Sequence, residues 1–85
     1  MPPFEVIWAR IQRHQTEPFR QVRGGVFTYA VAGNVVMPDR TDRLLARSQF
    51  ERAFERLPVG GPGELSDLQG PSYLFAILTD PRITG

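Results

Sequence analysis

The stretch Phe19–Met37, FRQVRGGVFTYAVAGNVVM, decides the fold of this 85-residue chain. Aromatic and β-branched residues run along it, broken by Gly24-Gly25 and Gly33-Asn34, pairs able to take the positive φ that tight hairpin turns demand. The spacing predicts a three-stranded antiparallel meander. In its central strand Phe27, Tyr29 and Val31 share one face, and Val26, Thr28, Ala30 and Ala32 the other. The aromatic face is expected to meet helices and the small-residue face to look outward. Pro38 then ends pairing, because it has no N–H to offer a ladder.

Upstream, Phe4, Ile7, Trp8 and Ile11 form an i, i+3, i+4, i+7 stripe after Pro2-Pro3, an amphipathic helix that frays near His14 and is closed by Glu17-Pro18. Downstream, Met37–Arg47 is a polar connection anchored by Leu44 and Leu45. Ser48-Gln49-Phe50-Glu51 matches a capping box, so a second helix is expected to begin at Ser48, carry Phe50, Ala53, Phe54 and Leu57 inward, and stop at Pro58. Leu65 and Leu68 pin a short helical turn beyond the Val59–Gly63 loop. The run Tyr73–Thr79 suits helix or strand; Gly70-Pro71 ahead of it and Asp80-Pro81 behind it favour helix. The reading is one small α+β domain over residues 1–85. It has an N-terminal helix, the meander and two C-terminal helices on one face of the sheet, with winged-helix-like geometry as one arrangement.

Composition narrows the function. At 41% hydrophobic and 11% aromatic, the chain has apolar material for one thin core, too much for a disordered regulator. It holds no cysteine, which removes disulfides, thiolate catalysis and zinc–thiolate sites together and points to a reducing, cytoplasmic setting. Met1–Glu5 has no basic region ahead of an apolar run, and Tyr73–Leu78 is far too short to span a bilayer, so neither an export signal nor a membrane partner is expected. Net charge is only +1, yet all ten basic residues are arginine. Nine of them lie between Arg10 and Arg56 against five acids, a local excess of four. GC-rich codon use accounts for much of the arginine preference. Each guanidinium is nonetheless a planar fork of donors suited to phosphate.

Catalytic chemistry finds little footing. Ser48, Ser66 and Ser72 are the candidate nucleophiles and His14 is the sole histidine; Ser48 reads as a helix cap, Ser72 as a first-turn hydroxyl and His14 as a residue favoured near a helix C-terminus. Asp39 and Asp42, even with Glu64 and Asp67, make a poor metal set, because an arginine follows each of the first two. Gly60-Gly61-Pro62-Gly63 resembles a phosphate loop, but Pro62 removes an N–H from its middle, and a chain-reversing turn explains it better. No catalytic residue, metal or cofactor is expected, and a small-ligand enzyme trails the other readings.

The positive lead is Arg20, Arg23, Arg40, Arg43 and Arg47, with Thr41, Thr28 and Tyr29 as hydrogen-bonding companions. An arginine-rich loop between a hairpin and a helix can contact DNA phosphates while its neighbour meets a groove. Against this stands local pairing of Asp39 and Asp42 with the same arginines, which would leave a merely solvated loop. Arg52 and Arg56 alternate with Glu51 and Glu55 and read as a solvent-facing lattice. A rival to DNA is protein: if Val26, Ala30, Ala32 and Val35 or Val36 lie uncovered, that face or the hairpin edge can bind another chain, most simply a second copy.

Phe27-Thr28-Tyr29, Gly33-Asn34, Arg40-Thr41-Asp42-Arg43, Ser48–Ala53 and Gly70–Tyr73 through Asp80–Ile83 together resemble small uncharacterised bacterial modules found alone or beside restriction-type nuclease domains. The resemblance implies a DNA-related setting and implicates Arg40, Thr41 and Arg43. Asp42 departs from it, standing where an amide is more usual and adding a negative charge against phosphate. The expected function is thus a non-enzymatic DNA-binding or DNA-associated accessory module contacting phosphates through Arg40, Thr41, Arg43, Arg47, Arg20 and Arg23. The alternative is a protein-interaction module or small homo-oligomer from a mobile or defence-related locus.

Overall fold

A computed structural model describes residues 2–85. The apolar stripe of the first segment winds into α1 (Phe4–Arg13), with Phe4, Ile7, Trp8 and Ile11 all buried. Its chain then turns at Thr16, in the left-handed region at φ 69°, and enters β1 (Phe19–Arg20). β1 pairs antiparallel with β2 (Val26–Phe27); β3 (Tyr29–Ala32), β4 (Val35–Pro38) and β5 (Leu45–Ala46) make a second antiparallel sheet in that order. Both glycine turns act as the sequence requires. Gly24 takes φ 92° after its N–H closes a turn on the Gln21 carbonyl, and Gly33 takes φ 57° in the two-residue loop between Ala32 and Val35.

The single three-stranded meander is therefore corrected to two small sheets. Its central strand breaks at Thr28, whose N–H donates to the Asp39 carboxylate and whose carbonyl accepts from the Asp39 N–H. A side chain eleven residues away thus takes the place of a strand partner. Face alternation survives the break: Phe27 and Tyr29 are buried while Val26 and Ala32 are exposed. The connection after Pro38 also holds a strand that sequence reading lacks. Leu45 pairs with Val36 and Ala46 with Val35, so Leu45 is buried and Leu44 is left exposed.

That pairing shifts the next helix. Because Ala46 is still in the sheet and the Arg47 N–H donates to the Asn34 carbonyl, α2 spans Arg47–Arg56 with Ala46 as its N-cap. Ser48 is already helical, and no side chain caps the helix, so the capping box does not form. The ending before Pro58 is as expected. A 3₁₀ turn at Pro62–Leu65 buries Leu65, and Leu68 is buried beyond it. Tyr73–Leu78 is helical within α3 (Pro71–Leu78). Asp80-Pro81 ends α3 and starts a short further helix, α4 (Pro81–Thr84), capped by the Asp80 side chain accepting from the Arg82 N–H.

The helices and sheets close on one apolar core. Phe4 meets Phe54 at 5.7 Å and Trp8 meets Phe50 at 6.1 Å between ring centroids, joining α1 to α2. Phe27 meets Tyr73 edge-on at 4.9 Å, joining the first hairpin to α3. Such aromatic pairs each add about 0.5–1.5 kcal/mol beyond their buried area. No described polar or charged residue is fully buried apart from Tyr29, whose hydroxyl donates to the Ile11 carbonyl at 2.6 Å near the end of α1. Among the described residues no helix is long and apolar enough to cross a membrane.

Candidate nucleic-acid interface

The β1–β2 hairpin collects three arginines from two segments. Arg20 leaves β1 and donates from Nη1 to the Gly24 carbonyl at 3.3 Å. Arg40 arrives from the far end of β4 and places Nη1 3.5 Å from the Val26 carbonyl. Arg23 stands in the turn between them. Residues 24 and 26 are two apart, at most about 7 Å of chain, so the two guanidinium groups are anchored on one hairpin. Each fork has five donors, and one carbonyl contact leaves the rest free.

Gly25 makes this approach possible. A Cβ there would meet Gln21 Oε1 at 2.7 Å and Arg40 Nη1 at 2.8 Å. The Gln21 amide in turn donates to Ser72 Oγ at 3.0 Å, tying the hairpin to the first turn of α3. Among the described residues no carboxylate comes within ion-pair distance of Arg20, Arg23, Arg40 or Arg43. Asp39, expected to neutralise them, is turned to the Thr28 N–H. With Asp39 and Asp42 both counted as local charge, these four arginines still leave an excess of two.

The other expected site residues divide. Thr41 accepts from the Arg43 N–H at 3.2 Å and holds the bend of the loop. Arg47 is drawn elsewhere: its guanidinium lies 5.6 Å from the Phe4 ring centroid and 5.5 Å from that of Trp8, a cation–π stack on α1. Tyr29 is buried beneath the sheet, and burial pushes its hydroxyl pKa up. Arg56 does not join a lattice with Glu51 and Glu55; it grips Asp67 through two hydrogen bonds of 2.6 and 2.7 Å, which hold that carboxylate down to about 2.

Sequence reading missed the residue with the densest set of partners. Arg82 donates to both carboxylate oxygens of Asp80, to Glu17 and to the Pro18 carbonyl, and lies 3.8 Å from the centroid of the Phe19 ring. The Asp80-Pro81-Arg82 spacing was its one local signal, a helix start with a cation in reach of its cap. Glu17 also receives His14, which together with Arg82 keeps its carboxyl below the ordinary value. Arg82 keeps Asp80 low in the same way. Its position under β1 makes it a brace for the hairpin. Among the described residues, no group of three or more His, Asp or Glu is placed to hold a metal.

No protein-family model matches this chain, and neither a curated protein nor a solved structure shows significant similarity to it. The resemblance to modules beside nuclease domains consequently adds no support to the geometry of the hairpin.

Proposed function

We propose that this protein is a non-enzymatic DNA-binding or DNA-associated accessory module whose β1–β2 hairpin contacts phosphates. Arg20, Arg23 and Arg40 supply the contacts, Arg43 extends them and Thr41 shapes the loop. Arg47 supports the fold by its stack on Phe4 and Trp8. The observation that carries the reading is the anchoring of Arg20 and Arg40 on carbonyls of one hairpin with, among the described residues, no carboxylate in ion-pair reach. The hairpin then serves as a wing beside the helices, the winged-helix-like use of such an element. The test is fluorescence anisotropy with a labelled duplex at rising salt, wild type against Arg20→Ala/Arg40→Ala. Binding that weakens with salt and drops in the variant, with unchanged thermal unfolding, supports the reading; absence of binding at low salt removes it.

A protein-binding reading has one observation in its favour. Val22 is 64% exposed and Val26 46%, both on the same hairpin. Its form is narrowed, since Val36 is fully buried and belongs to the core. Val26→Glu, leaving a dimer intact or dissociating it in sedimentation, separates this reading from the first.

A further inference from the structure

Beside the basic hairpin lies a cleft of about 630 Å³ between the β1–β2 turn and the segment from the 3₁₀ turn to the start of α3. We propose that this cleft takes one unpaired nucleotide of a single strand, with its phosphate on Arg23, so that the module prefers single-stranded to duplex DNA. The inference rests on the phosphate-binding reading of the hairpin and names its ligand more closely.

Three observations point the same way. The volume lies in the range of small-ligand sites, about 300–1,000 Å³. The lining includes the aliphatic side chains of Val22, Pro62 and Pro71, apolar surface suited to the faces of a base and its sugar. Polar groups punctuate them: Ser66 is exposed, and Ser72 accepts from Gln21 and keeps its own O–H to donate to a base edge. Arg23, the charged residue of the lining, belongs to the same hairpin that holds the Arg20 and Arg40 guanidinium groups. A Cβ at Gly25 would lie 2.7 Å from Oε1 of Gln21, a lining residue, and 2.8 Å from Arg40 Nη1, so a phosphate held by Arg40 lies near the cleft.

The shape then selects the strand. In a duplex the bases are stacked and paired inside a convex cylinder, and a concave site beside the phosphate track is filled only by a base that has left the stack. A single strand offers such a base without the cost of unpairing. Among the described residues no aromatic ring lines the cleft, so the base is held by apolar burial and hydrogen bonds, with weak preference for base identity.

The test is anisotropy with a short labelled single strand and the duplex of the same sequence, at one low salt concentration. The expected result is a single-strand affinity higher by roughly tenfold, the order that burying about 55 Å² of apolar surface supplies. Ser66→Leu should crowd the cleft without offering a ring for a base to stack on, and abolish that advantage while leaving duplex binding unchanged. Gly63→Leu is the second probe, since a Cβ there meets nothing within 4 Å. Equal affinity for the two forms, or an advantage that persists in both folded variants, overturns the inference and leaves the phosphate reading standing. Failure of both forms to bind overturns the two together.

Discussion

A single missing Cβ at Gly25 lets Arg40 reach across from another strand. Its φ lies outside the left-handed region, so alanine fits the backbone there, but its Cβ would displace the Arg40 and Gln21 side-chain ends. Gly25→Ala is accordingly expected to weaken DNA binding severalfold while stability changes by less than about 1 kcal/mol, checked by anisotropy and urea unfolding on the same sample. Tyr29 works in the opposite sense, as structure. Tyr29→Phe leaves the Ile11 carbonyl without its buried donor and should cost about 1–2 kcal/mol in urea unfolding, with little effect on binding. At this scale the sequence was a partial guide. The alternation of Phe27 and Tyr29 was legible as a buried face, and arginine enrichment as an anionic lead. That Arg47 stacks on α1 and Arg82 braces β1 was not legible, because each meets aromatic partners far away in the chain.

Elements with their signals close in sequence were readable, and those made by distant contacts were not. The stripe of α1, the glycines of both hairpins and the Gly70-Pro71 start of α3 each act within a few residues. The break at Thr28 depends on Asp39, and β5 consists of two residues that become a strand only by lying against Val35 and Val36. The resulting sheet has both outer edges covered. On β3, Gln15 Oε1 accepts from the Val31 N–H and the Thr16 N–H donates to the Tyr29 carbonyl; on β5, Gln69 Oε1 lies 3.5 Å from the Ala46 N–H. These contacts occupy edge groups that strand addition by a second copy would need. Gln15→Leu should therefore raise self-association in sedimentation velocity, and an unchanged monomer fraction would contradict the capping role. Gly70 sits at φ 51° against Leu45, where a Cβ would meet Cδ2 at 2.8 Å. Gly70→Ala is expected to destabilise by about 1–3 kcal/mol, measured by thermal unfolding.

Across the whole molecule, ionic groups fall into a paired set and an unpaired one. Glu17, Asp67 and Asp80 are each held below their ordinary pKa, by His14 with Arg82, by Arg56 and by Arg82 respectively. A carboxylate whose folded pKa is depressed stabilises fully above its unfolded value and loses that contribution as pH falls through the folded one. The melting temperature should hold down to the ordinary carboxylate values, 4.5 for Glu and 3.8 for Asp, and decline as pH falls toward about 2. The hairpin arginines lie outside this paired set, which leaves their charge available to a partner. The most direct measurement of that availability is the slope of log affinity against log salt for labelled DNA. Three phosphate contacts predict a slope of about −2 to −3, with Arg20→Ala and Arg40→Ala each making it shallower by about 0.7–0.9. A slope near zero, or one that neither substitution alters, would contradict the account.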